Sequence, residues 1–205
     1  MKTVTGLFDN YEDASAAVGE LEANGVPYSD ISIVANNSTG WYDEDTSAGD
    51  TSAAAEDAAG GAGVGAVIGG AGGLLTGLGI MAIPGVGPVV AAGWLAATAV
   101  GALGGAAVGG AAGGIIGALT ESGVPERDAH AYAEGVRRGG TLVSAKVADD
   151  FIDIAERILR ETRSVDLEER RREYEAGGWT GFDADAETYT TDEIAGDRTR
   201  RDDRI

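Results

Sequence analysis

The chain has 205 residues and carries 34 acidic against 15 basic side chains, which gives a net charge of −19 at pH 7. This length fits one domain, or one domain with an insertion, and the acidic balance argues against a nucleic-acid-binding protein, because phosphate contacts need a basic surface. Cysteine is absent, which excludes disulfides, thiolate nucleophiles and zinc–thiolate sites.

The first 36 residues have the pattern of a β-α-β unit. Residues 3–8 alternate and are rich in β-forming side chains, which predicts a strand. Asp9 or Asn10 then caps a helix that ends at Gly25, and residues 31–35 predict a second strand. The opening residues lack the apolar core of a secretory signal, so we expect this segment in the cytoplasm.

Residues 37–57 are polar and acidic, and their composition predicts a flexible linker. The acidic run Asp43-Glu44-Asp45 lies within it. The run does not match a calcium-binding EF-hand loop, since no glycine follows at the sixth position and the twelfth position is Ala54. We interpret it as a solvated acidic loop.

Residues 58–120 contain no charged side chain and 21 glycines. Two sets of glycines recur at every fourth position, a spacing that puts a stripe without side chains along a helix and lets another helix approach closely. The segment between the sets, Pro84-Gly85-Val86-Gly87-Pro88, is typical of a turn. The pattern predicts a glycine-zipper helical hairpin whose packing positions are Gly61, Gly65, Gly69, Gly73, Gly77, Gly101, Gly105, Gly109, Gly113 and Gly117.

The environment of this hairpin has two interpretations. Each predicted helix exceeds the roughly 20 residues needed to cross a bilayer, which favours insertion into the inner membrane. The residues that supply most insertion energy (Leu, Ile, Val and Phe) are a minority here. The alternative is therefore a soluble hairpin that packs against itself, against the domain or against another copy.

Residues 121–170 repeat the β-α-β scheme. A helix is predicted from Pro125 to about Arg138, a strand from Thr141 to Val147, and a helix capped by Asp149 or Asp150. Residues 164–168 read as a short final edge strand. Together with residues 1–36, these elements predict an α+β fold, a split ferredoxin-like β-α-β sandwich that the hairpin interrupts.

Residues 171–205 form a charged tail. A short charged helix is expected after Glu168, and Trp179 and Phe182 are expected to pack onto the domain. Beyond Phe182 the chain has little apolar surface to bury, so disorder is predicted.

No constellation of catalytic, cofactor-binding or metal-binding residues emerges from the sequence. The dinucleotide-like matches Gly61-x-Gly63-x-x-Ala66 and Gly77-x-Gly79-x-x-Ala82 lack a preceding strand. His130 is the single histidine and has no second histidine or cysteine to complete a metal site. The Arg170–Arg172 run is neutralised by neighbouring glutamates and reads as a salt-bridged helix face. An enzyme is not expected.

Several segments in this order resemble the bacterial general stress protein and low-temperature-induced protein family. They are residues 3–9, 31–35 and 77–88, Gly123-Val124-Pro125-Glu126, and Gly135 to Val143. The resemblance spans roughly residues 2–182 and implies a small α/β domain with a glycine-rich hairpin and an association with stress. Where relatives often carry paired tyrosines, this chain has Ala131-Tyr132.

The sequence therefore predicts a non-enzymatic, stress-associated protein that binds neither nucleic acid nor cofactor. Its hairpin would insert in or associate with the inner membrane and form homo-oligomers through the glycine stripes, with the α/β domain in the cytoplasm. The exposed edge of the sheet would dimerise or bind a protein partner, whose identity the sequence does not give. The alternative is a soluble, cytoplasmic homo-oligomeric scaffold or binding module.

Overall fold

A computed structural model describes residues 1–42, 79–96, 98 and 114–202. Its centre is one antiparallel sheet, and the mixed α+β prediction is confirmed. The five strands stand in the order β1-β5-β2-β4-β3. Their bounds are β1 Lys2–Phe8, β2 Ile31–Asn36, β3 Gly79–Ile83, β4 Gly87–Gly93 and β5 Thr141–Val147.

Helices cover both faces of the sheet. The first helix begins where the sequence predicts, because the side chain of Asn10 accepts a hydrogen bond from the backbone N–H of Asp13 at 2.8 Å. It ends before Gly25, which has a φ of +94°. The helical bounds are α1 Tyr11–Ala23, α2 Ile115–Glu121, α3 Glu126–Arg137, α4 Ile152–Glu161, α5 Leu167–Ala176 and α6 Thr191–Asp202.

Strand β5 lies between β1 and β2 and is antiparallel to both. Val4 and Ile31 therefore stand on either side of Ala145 in the same row of the sheet. The predicted strands at residues 3–8, 31–35 and 141–147 are confirmed. The chain from β1 through α1 thus reaches β2 on the far side of β5.

Alternate side chains of each strand serve two separate cores, because successive residues point to opposite faces. Phe8 belongs to the core under α1 and α4, while its neighbour Leu7 belongs to the core under α2 and α3. The sheet is therefore the middle of three layers.

Residues 79–93 form a β-hairpin, so the predicted helical hairpin is wrong at these positions. The turn itself was located correctly: Gly85 and Gly87 have positive φ values of 72° and 97°, and Val86 donates its N–H to the carbonyl of Ile83 at 3.0 Å. The turn joins two strands because the residues after it include the β-branched pair Val89-Val90, which is buried against β2.

The chain leaves β4 through a local arrangement that only glycine can adopt. Gly93 has a φ of +87°, and a Cβ there would overlap the carbonyl oxygen of Ile31 and lie 2.8 Å from the Cα of Ser32. The hydroxyl of Ser32 donates to the carbonyl of Ala92 and accepts from the N–H of Leu95 at 3.2 Å. It thereby caps the helical residues 94–96 from a different strand.

The tail beyond Phe182 packs on the domain, and the prediction of disorder there is wrong over residues 183–202. Ala184 lies against the β3–β4 turn, where a Cβ on Gly85 would be 2.6 Å from its Cα. Ile194 of α6 is 2% exposed and contacts Gly139, whose carbonyl accepts a hydrogen bond from Arg198 at 2.6 Å. One buried isoleucine and a set of contacts to backbone atoms hold this segment on the domain. The acidic composition of the segment gives no sign of this packing.

Most of the glycine positions singled out above lie outside the described residues: Gly61, Gly65, Gly69, Gly73, Gly77, Gly101, Gly105, Gly109 and Gly113. Gly117 lies in α2, and a Cβ there would meet nothing within 4 Å. Packing between copies at these positions stays a prediction. In the part of the chain that the structure describes, no helix combines the length and apolar character that a bilayer crossing requires.

Candidate functional site

The outer edge of β1 is the feature that the fold leaves partly open. In an antiparallel edge strand, the N–H and C=O groups of alternate residues point away from the neighbouring strand. Tyr132 donates its phenolic O–H to the carbonyl of Thr5 at 3.0 Å, and Val165 donates its N–H to the carbonyl of Leu7 at 2.8 Å. The backbone N–H and C=O groups of Thr5 and Leu7 therefore point outward, away from β5. Those of Thr3, two positions before Thr5, do the same.

No described residue covers the outward N–H and C=O of Thr3 or the outward N–H of Thr5. The predicted strand at residues 164–168 would have covered this edge, and that prediction is wrong. Asp166 caps α5 instead, since its side chain accepts from the N–H of Glu169 at 2.9 Å. Among the described residues, the bond from Val165 to Leu7 is the one backbone–backbone hydrogen bond between residues 164–168 and β1.

A polar cleft of about 310 Å³ lies along this open edge. Helix α3 and the loop before it form one wall, and α4 forms the other, so the edge is recessed between helices from both layers. The lining residues are Thr3, Val4, Thr5, Gly123, Val124, Pro125, Asp128, Tyr132, Glu156, Leu159, Arg160 and Ser164.

Backbone geometry positions the α3 wall. Helix α2 ends at Gly123, which has a φ of +97°, and Val124 returns its N–H to the carbonyl of Leu119 at 3.0 Å. Pro125 then starts α3, in line with the prediction from the sequence. Because Asp128 and Tyr132 are one helical turn apart, both side chains reach the cleft from the same face.

Helix α3 is anchored at its other end by a buried carboxylate. The side chain of Glu134 is 1% exposed and pairs with Arg138 at 2.6 Å and with Arg137 at 3.4 Å. The guanidinium of Arg138 also lies over the ring of Tyr174, 4.4 Å from its centroid. This ion cluster fixes the helix that carries Asp128 and Tyr132, and it belongs to the scaffold of the site.

Two carboxylates stand on opposite walls of the cleft. Asp128 on α3 pairs with Arg171 at 3.1 Å and with Arg127 at 3.5 Å, and both contacts use its Oδ1 atom. Glu156 on α4 pairs with Arg160 at 3.5 Å through its Oε2 atom. The second oxygen of each carboxylate accepts no hydrogen bond from an arginine side chain among the described residues.

Tyr132 lies between these carboxylates. Burial raises the pKa of its phenol well above the ordinary value, and the negative charges of Asp128 and Glu156 raise it further. The phenol is therefore a neutral hydrogen-bond donor to Thr5 across the physiological range. Both carboxylates are also ion-paired with arginines, and one of these, Arg160, lines the cleft.

Polar contacts continue beneath the cleft into the sheet. The hydroxyls of Thr5 and Ser144 are 3.2 Å apart on neighbouring strands, and Ser144 is fully buried. Among the described residues, no group of three or more Asp, Glu or His side chains could hold a metal ion. What the cleft offers is a set of strand-edge backbone groups with a carboxylate on each side.

Sequence reasoning anticipated an exposed sheet edge but did not locate this site. His130 lies nearby on α3 and accepts the N–H of Phe182 at its Nδ1 atom, at 3.2 Å, so it helps to dock the tail. Trp179 packs edge-on against Tyr174, which agrees with packing on its own domain. The i, i+4 spacing of Asp128 and Tyr132 was the feature of the sequence that could have indicated this site. Glu156, the carboxylate on the opposite wall, lies on a different helix, so the sequence does not show that the three residues meet.

Comparison of the chain with family models, curated proteins and solved structures found no match. Membership of the stress-protein family therefore stays a prediction from the residues quoted above.

Proposed function

We propose that this protein is a non-enzymatic binding and assembly module, and that the open edge of β1 is where a protein partner docks. The recessed edge at Thr3 and Thr5 carries this proposal. Unpaired strand edges add a further strand readily, because the backbone groups of an incoming segment replace the water that solvates them. An edge lying in a cleft selects such a segment, since only a bare strand fits between α3 and α4.

The fold supports this use of the edge. We propose that the domain is a variant of the split ferredoxin-like sandwich in which the final strand has been lost. The order of β1, β5 and β2 is the one that such a sandwich requires. The β3–β4 hairpin extends the other end of the sheet, and helix α5 stands where the last strand would begin.

Photochemical cross-linking tests the docking site. A benzophenone side chain in place of Arg160, on the rim of the cleft, is expected to label one short segment of a partner. The same group in place of Glu161, the next residue of α4, points elsewhere and serves as the control. Thr3→Pro should abolish the label at position 160, because proline removes an outward N–H that the sheet does not use. Equal labelling from both positions would count against the proposal.

A second candidate function is self-assembly through the glycine-rich segments, which the fourfold spacing favours. The positions where these two segments, residues 43–78 and 97–113, join the domain help to decide between a membrane and a soluble environment. Tyr42 and Gly79 both lie on the domain, as do Ala96 and Gly114. Each segment therefore begins and ends on the domain.

A transmembrane arrangement would need an even number of crossings within each segment. Two crossings take about 40 residues, whereas 36 residues separate Tyr42 from Gly79 and 17 separate Ala96 from Gly114. These lengths favour assembly outside the hydrocarbon layer, the soluble scaffold, over insertion in the inner membrane. Carbonate extraction of membranes distinguishes the two, since an integral protein stays in the pellet and an assembled scaffold is recovered in the supernatant.

A further inference from the structure

We infer that the segment bound at the β1 edge is an extended stretch of a partner protein with two adjacent basic residues. This inference rests on the proposed function, since it names the partner of the same site. It follows from where the two cleft carboxylates stand relative to the strand edge.

Adjacent side chains of an extended segment point to opposite faces of the sheet it joins. At the β1 edge, one face leads to the α3 wall and the other to the α4 wall. A strand paired with Thr3 and Thr5 therefore directs one side chain towards Asp128 and the next towards Glu156. Two basic residues in succession would meet one carboxylate each, whereas two basic residues separated by one position would both point to the same wall.

Each carboxylate has the capacity for such a contact. The hydrogen bonds that Asp128 and Glu156 accept from arginine side chains among the described residues use Oδ1 of Asp128 and Oε2 of Glu156, so the other oxygen of each carboxylate accepts none of them. The Glu156–Arg160 pair is a half-exposed i, i+4 pair, which contributes little and exchanges readily for an incoming cation. Burial is the main cause of the raised pKa of the Tyr132 phenol, and the charges of Asp128 and Glu156 add to it, so both carboxylates lie close to the phenol between the two walls.

The shape of the cleft favours a bare segment over the edge of a second copy. In a symmetric pair, each β1 would bring its own α3 and α4 walls against those of the other copy. Asp128 and Glu156 of the two copies would then approach like charges, on chains that each carry a net charge of −19.

Labelled hexapeptides and the full-length protein test the inference. The probe is acetyl-Thr-Val-Arg-Lys-Val-Thr-amide, with affinity measured by fluorescence anisotropy and location by hydrogen exchange at the Thr3 and Thr5 amides. The matched control, acetyl-Thr-Arg-Val-Lys-Val-Thr-amide, keeps the composition but separates the basic residues by one position. A neutral peptide with two glutamines replaces both charges. We expect the adjacent pair to bind most tightly and to protect both amides.

Two charge variants separate the walls. Glu156→Gln and Asp128→Asn should each weaken the adjacent-pair peptide about two- to fivefold, the range expected for a partly exposed ion pair. Glu161→Gln, an exposed carboxylate of α4 outside the cleft, should leave the affinity unchanged. The effect of Glu156→Gln should shrink at high salt, where exposed charges are screened.

The outcomes distinguish this inference from the proposed function. Equal affinity for the adjacent, spaced and neutral peptides, with Thr3 and Thr5 protected in each case, overturns the inference and leaves edge binding in place. Absence of protection by every peptide overturns both. Protection that rises with protein concentration alone would show that a second copy occupies the edge, and it would also overturn the inference.

Discussion

At the scale of single residues, this fold depends on a few positions where the backbone allows one residue type. Gly93 is the clearest, because its positive φ and the adjacent Ile31 carbonyl leave no room for a side chain. Some other glycines have no such constraint. Gly19, on the outer face of α1, has nothing within 4 Å of a Cβ position and has ordinary helical geometry.

These two glycines make a matched pair for mutation to alanine. Gly93→Ala is expected to lower the free energy of unfolding by about 2 kcal/mol or more, since it adds backbone strain to a steric overlap. Gly19→Ala should raise it by roughly 0.5–1 kcal/mol, because alanine favours the helix. Urea unfolding of both variants checks this. A Gly93→Ala protein as stable as the parent would contradict the role assigned to this turn.

The phenol of Tyr11 should give the protein a measurable alkaline sensitivity. Burial raises its pKa to about 12, with smaller contributions from Tyr42 and Tyr28. A pKa raised in the folded state means that the folded protein holds this proton more tightly. The corresponding stability is fully present below pH 10, the value for an exposed tyrosine, and is lost as the pH rises through 12.

Tyr11→Phe should remove this part of the alkaline loss. At pH 7 the variant should be as stable as the parent or more stable by about 1 kcal/mol, because the buried Tyr11 hydroxyl has no hydrogen-bond partner among the described residues. Urea midpoints between pH 8 and 12 give the comparison, with tyrosinate absorbance as a direct record of ionisation. Identical alkaline profiles in the two proteins would show that Tyr11 does not titrate with unfolding.

At the scale of elements, the sequence correctly predicted the helices and strands whose capping residues and apolar pattern agree with their tertiary packing. Helix α1 has its cap at Asn10 and its stop at Gly25, and strand β5 was placed at residues 141–147 as observed. The charged helix after Glu168 was also expected, and α5 confirms it. In each case one apolar face or run is bounded by residues that cap or break the element.

The errors at the β3–β4 hairpin and at the cleft arose where the deciding contact lies far along the chain. Residues 79–83 and 89–93 read as helical because of the glycine spacing, and pairing of Val89 and Val90 with β2 decides in favour of strands. The cleft was missed because Asp128 and Glu156 belong to helices that meet only in the folded chain. The error at residues 164–168 is a local one, since the side chain of Asp166 caps α5 by accepting from the N–H of Glu169.

The docking of α6 allows a direct test of the tail. Ile194→Ala should lower the free energy of unfolding by about 2–4 kcal/mol, as for other buried isoleucines, because its side chain fills the space beside Gly139. Ala195→Ser, on the exposed side of the same helix, should change it by less than about 0.5 kcal/mol. Chemical denaturation measures both. If Ile194→Ala also leaves stability unchanged, α6 is not held on the domain in solution.

At the scale of the whole molecule, the proposed assembly of copies concerns the glycine-rich segments. Fourfold glycine spacing predicts close helix packing between copies, at positions that lie outside the described residues. The folded domain carries a different surface, the β1 edge, which we propose binds a partner protein and not a second copy. The two surfaces depend on different features of the chain. Contact through the glycine stripes requires small residues, whereas binding at the β1 edge requires unpaired backbone N–H and C=O groups.

Gly69→Leu and Gly109→Leu should each reduce the size of the assembly, since a leucine side chain keeps neighbouring helices apart. Sedimentation velocity measures the change, and Thr3→Pro provides the comparison, because it alters the edge and leaves the glycine stripes intact. Unchanged assembly size in both leucine variants would rule out the glycine stripes as the contact between copies.

The central position of β5 also dictates when the domain can fold during its synthesis. Strands β1 and β2 have no direct contact with each other, and 104 residues separate Asn36 from Thr141. At about 5–20 residues per second, a ribosome needs roughly 5–20 s to make that stretch. Throughout this interval β1 has no partner strand, while β2 can pair with β4 of the β3–β4 hairpin. The sheet therefore closes late in translation, which makes the nascent chain, more than the finished protein, the form most exposed to aggregation.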